Sequence, residues 1–181
     1  MIRRLALAWV FLLAVQSMRL EAQSCIAQGP PANLWTCTTN TSASLTIGDV
    51  LSLTLGATTT ALTPPTSADY DAGFAASTGP TVTVRGNRAW RLQMSAASAT
   101  WTAVNTQPGV NARENMPAGE LRWGTAVGGP FTALTTTPTT ILFGPASAGS
   151  AATMFFRTTY NWTLDTPGAY SIVVTFTLLA P

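Results

Sequence analysis

Residues Met154–Leu178 read MFFRTTYNWTLDTPGAYSIVVTFTL, and the pattern within them has a period of two. In the first half Met154, Phe156, Tyr160, Trp162 and Leu164 are large and apolar, while Arg157, Thr159, Asn161 and Thr163 are polar. Successive side chains of a strand point to opposite faces, so a run of this kind is half buried. In the second half Tyr170, Ile172, Val174, Phe176 and Leu178 form a matching inward set, with Ser171, Thr175 and Thr177 outward. Asp165-Thr166-Pro167-Gly168 between them reads as a turn in which Pro167 sets φ and Gly168 permits a positive φ. The expectation is two strands paired antiparallel at the centre of a sheet.

The same alternation extends toward the N-terminus. Thr81–Arg85 alternates, Gly86-Asn87 supplies a turn, and Arg88–Met94 places Trp90, Leu92 and Met94 on one face, which predicts a tight hairpin. Leu45-Thr46-Ile47 and Leu51–Leu55 alternate apolar and hydroxyl residues around a Gly48-Asp49 turn. Thr58–Gly79, rich in Thr, Pro and Ala, reads as a long loop, as does Gln107–Gly119. Thr100–Val104, Leu121–Trp123, Phe131–Leu134 and Ile141–Phe143 are short strand candidates set off by Gly and Pro. Many short strands with no room for helical crossovers predict an all-β fold. The expected form is a single antiparallel β-sandwich, immunoglobulin-like or pilin-like, with a closed barrel as the alternative.

The 181 residues make about one domain, and 46% apolar against 9% charged residues excludes both disorder and a nucleic-acid-binding surface. All nine basic residues are arginine, since lysine and histidine are absent. Arg3, Arg4 and Arg19, with Glu21, fall in the first 22 residues. A basic start, an apolar run over Leu5–Val15 and a small residue at Ala22 form the pattern of a secretory signal, and the run is too short to span a bilayer. Without residues 1–22 the chain has six arginines against six acids and a net charge of zero. The expected product is a secreted protein of the bacterial periplasm or cell surface, with no transmembrane segment after the signal.

Cys25 and Cys37 are the only cysteines. Cys25, just past the signal, has two readings, acylation or a disulfide to Cys37. The residues before it fit acylation poorly, and an oxidising compartment favours the disulfide. Closing that loop would contribute about 3 kcal/mol on the chain-entropy model and pin the Pro-Pro segment onto the domain. The expected organisation is a signal over 1–22, a disulfide-tied segment over 23–43 and the sandwich over 44–181.

Val82–Trp101 (VTVRGNRAWRLQMSAASATW), Gly119–Trp123 (GELRW), Thr159–Ser171 (TYNWTLDTPGAYS) and Val174–Leu178 (VTFTL) together resemble bacterial secreted β-sandwich proteins of the cell envelope. These include surface domains similar to WxL proteins and the spore-coat-U or fimbrial-subunit-like group. The resemblance covers roughly residues 80–181. It implies a surface or assembly role and carries over no catalytic residue.

The inventory of reactive side chains points the same way. Without His or Lys, Ser-His-Asp, Cys-His, Ser-Lys, Schiff-base and histidine-metal chemistry are excluded. A carboxylate pair from Asp49, Asp69, Asp71, Glu114, Glu120 and Asp165 is the remaining catalytic option, and Asp69-Tyr70-Asp71 the remaining Ca²⁺ option. Both read better as solvated loop residues. No cofactor is expected. Trp90 and Trp162 share parity with aliphatic neighbours and read as core. Trp35, Trp101 and Trp123 are the candidate carbohydrate contacts. The functional expectation is a non-enzymatic structural or adhesive envelope component acting by self-association or by binding an envelope protein or polysaccharide. The alternative is a carbohydrate-binding module built on exposed tryptophans.

Overall fold

The computed structural model describes residues 25–26, 28–30 and 36–181; the expected export signal and Trp35 lie outside them. The chain divides into two compact units, Met1–Thr46 and Ile47–Pro181. In the first, Cys25 and Cys37 are disulfide-bonded with Cα atoms 5.8 Å apart, a pairing suited to an oxidising compartment. Both cysteines belong to this unit, so the bond closes a loop within it and makes no covalent tie to the second. Residues 36–46 are exposed and form neither helix nor strand. Leu45-Thr46-Ile47 is therefore not the expected strand: Leu45 is 84% exposed, and a triplet without a ladder partner buries too little to hold itself extended.

The second unit is an antiparallel β-sandwich. Its larger sheet has the order β1 (Leu51–Leu55), β2 (Phe74–Gly86), β8 (Ser147–Thr159), β5 (Leu121–Gly124), β6 (Thr132–Ala133). The smaller has the order β10 (Val174–Leu179), β3 (Trp90–Ala96), β7 (Thr139–Gly144), and β4 (Thr102–Val104) pairs with β9 (Ala169–Ser171) as a separate ribbon. The core lies between the sheets. Val82, Val84, Met154 and Phe156 from the larger one pack in one cluster with Trp90, Leu92 and Met94 from the smaller. Each fully buried aliphatic or aromatic side chain here contributes about 1.5–3 kcal/mol by leaving water.

Alternation assigned these faces correctly and the strand neighbours incorrectly. β2 and β3 do not form a hairpin: β2 pairs with β1 and β8, whereas β3 pairs with β10 and β7. The connection crosses from one sheet to the other. Asn87 holds this corner by accepting from the Val50 amide at 2.8 Å and donating to the Gly48 carbonyl at 2.8 Å, while Arg88 pairs with Asp49. β8 and β10 likewise belong to different sheets, with β8 at the centre of the larger and β10 at an edge of the smaller. Both runs need an apolar layer on one side, and either sheet of a sandwich supplies one.

Two loop expectations also change. Thr58–Gly79 contains a helix, α1 (Ser67–Ala72), and the start of β2. Thr66 and Asp69 form a reciprocal capping box at its start, and Gly73 ends it in the left-handed region at φ 76°. Gly168 does not adopt a positive φ. Glycine is needed there for close approach, since a Cβ would stand 2.5 Å from the Ala112 Cβ and 3.2 Å from the Val104 carbonyl oxygen. Among the described residues no helix is long and apolar enough to cross a membrane.

Candidate functional site

β8 ends at Thr159, and its inward face opens there into a cleft of about 790 Å³. The apolar series Met154, Phe156 is interrupted on that face by Thr158. Three residues beyond the strand end, Trp162 is 60% exposed and is not part of the core. An Asx-type turn carries it outward: the Asn161 carboxamide oxygen accepts from the Thr163 amide at 2.9 Å and from its hydroxyl at 2.7 Å. Asp165 closes the turn by accepting from the Asn161 amide at 2.6 Å.

The Trp162 indole is held on two sides. One face stacks on Tyr70 of α1 with ring centroids 4.5 Å apart, and its Nε1–H donates to Asp71 at 3.0 Å. Tyr70 in turn meets Tyr160 at 5.5 Å. Asp69 and Asp71 thus stand on a helix, not in a loop. Asp69 accepts from the Thr66 amide and hydroxyl, which hold its carboxyl below the usual range. Burial, chiefly, raises the phenol pKa values of Tyr70 and Tyr160, and nearby Asp165 adds to both.

Trp101, Met116 and Thr158 are buried and form the base of the cleft. The Trp101 indole is 5% exposed and donates to the Pro117 carbonyl at 3.1 Å, and Trp123 is 9% exposed within the core cluster. Neither offers an open ring face, so the expected platform of Trp35, Trp101 and Trp123 is not formed by the latter two. The Thr158 hydroxyl is also buried and makes no hydrogen bond of acceptable geometry, although it lies near enough to Tyr160 to oppose the rise of that phenol.

Beside the cleft Arg113 is bound by two carboxylates, Asp165 at 2.6 Å and Glu120 at 2.9 Å. The pair with Glu120 is uneven. Burial opposes the Arg113 charge, yet its hydrogen bonds to Asp165 and Glu120 outweigh that and raise its pKa. For Glu120 burial outweighs Arg113, and its pKa also rises. Asp165, which lines the cleft, has one oxygen on Arg113 and the other on the Asn161 amide. Its carboxylate is engaged in holding the loop.

A second surface lies at the free edge of the smaller sheet. β7 has β3 as its one strand partner among the described residues, and Phe143 on it is 81% exposed. No charged residue occurs between Arg122 and Arg157. No protein-family model matches the chain, and no curated protein matches it.

Proposed function

We propose that the chain is an exported, non-enzymatic structural or adhesive component of a bacterial envelope, acting by self-association through strand edges. The observation that carries this reading is β7. Edge strands are normally guarded by charges, proline or a covering element; β7 has no charge on it or nearby in sequence, and its flanking prolines, Pro138 and Pro145, lie just outside it. A bulge at Ile141 shortens the regular edge, leaving Leu142–Gly144 with exposed Phe143 as the pairing segment. The envelope assignment rests on the export pattern of residues 1–22 and on the pattern-level resemblance to secreted envelope sandwiches. The non-enzymatic part is supported by the absence of His and Lys and by the engagement of Asp165 with Arg113 and Asn161.

Sizing chromatography with light scattering on the secreted protein tests this. Concentration-dependent association that Phe143→Lys reduces is the expected outcome. A strict monomer at high concentration, unchanged by the substitution, would sink the reading.

A further inference from the structure

The cleft beside Trp162 is not used by association through β7, and it has the attributes of a ligand site. We propose that it binds a neutral hexopyranose unit of a polysaccharide, with the sugar's C–H face on the open face of Trp162. Tyr70 covers the other face of the indole and Asp71 holds its N–H, so the ring is oriented before any ligand arrives. A pyranose offers an apolar C–H face to stack on such a ring and hydroxyls around its rim.

The polar groups that a sugar can reach are at the rim: Thr63, Thr106 and Thr166 line the cleft and are exposed, and their hydroxyls can pair with those of the sugar. The volume of about 790 Å³ lies within the usual range for small-molecule sites, which combine apolar walls with a few placed polar groups.

Charge selects the class of sugar. Asp165 lines the cleft and Asp71 accepts from the Trp162 indole, while Arg113 is already bound by Asp165 and Glu120. An acidic glycan meets repulsion with no free arginine to receive it. A caged organic cation is disfavoured by geometry, because rings stacked at 4.5 and 5.5 Å leave no gap between them.

Affinity electrophoresis through gels containing glucan, mannan or galactan, with polygalacturonate as the acidic probe and choline chloride as competitor, tests the proposal. Retardation by at least one neutral polysaccharide is expected. Trp162→Ala should weaken it at least about tenfold. Phe143→Lys should leave it intact, which separates this site from self-association. No retardation by any neutral polysaccharide, retention by polygalacturonate alone, full competition by choline, or undiminished binding by Trp162→Ala would each overturn it.

Discussion

Along one face of β8 the environment changes within four residues. Met154 is fully buried and packed among Val82, Val84 and Leu92, with no polar atom to satisfy. Thr158, as deeply buried, carries a hydroxyl without a partner, and the chain beyond it turns out to Trp162. On the opposite face the Arg157 guanidinium lies 3.9 Å from the Phe74 ring centre and 4.3 Å from that of Phe131, and its Nε has no hydrogen-bond partner. The middle of the strand serves packing alone, while its end brings a small polar side chain up to an open cavity.

The largest expected effect lies at the packed end. Met154→Ala should cost about 2–5 kcal/mol by opening a cavity between the sheets, read from urea unfolding. A loss below 1 kcal/mol on the order of surface substitutions would mean that the two ends of β8 are packed alike. Gly168→Ala, where the added methyl meets Ala112, should cost about 1–3 kcal/mol and loosen the turn that borders the cleft.

Thr158→Val should leave stability unchanged or raise it by up to about 1 kcal/mol, because it removes a buried hydroxyl that has no partner. Marked destabilisation in thermal melts would show the hydroxyl to be structural and erase the contrast. The smallest effect concerns pH. The folded pKa of Glu120 lies above its ordinary 4.5, so its contribution to stability is fully present below that pH and is lost as pH rises through the folded value. Unfolding midpoints of the wild type should therefore fall relative to Glu120→Gln as pH increases over that window. A rise would show that Arg113 stabilises the charged carboxylate more than burial penalises it.

Much of the sandwich was legible in the alternation, because Val82, Val84, Trp90, Leu92, Met94, Met154 and Phe156 are inward in both readings. The cleft was legible only as a gap: Thr158 is the small polar residue that breaks the series on its face, and parity carried past it assigns Trp162 to the core. Parity says which side of a strand a residue occupies while the strand lasts. It does not say where the strand stops, and the Asn161 turn stops this one before Trp162.

From sequence alone came the all-β class, the inward faces of β2, β3 and β8 as far as Phe156, the Cys25–Cys37 pairing and the exclusion of histidine- and lysine-dependent chemistry. These follow from local periodicity and residue inventory. Only the tertiary structure decided that β2 and β3, and likewise β8 and β10, enter opposite sheets, that Trp101 and Trp123 are buried, and that Tyr70, Asp71 and Trp162 meet. Periodicity fixes a face and leaves the partner open, whereas partners are chosen by which layers can share one core.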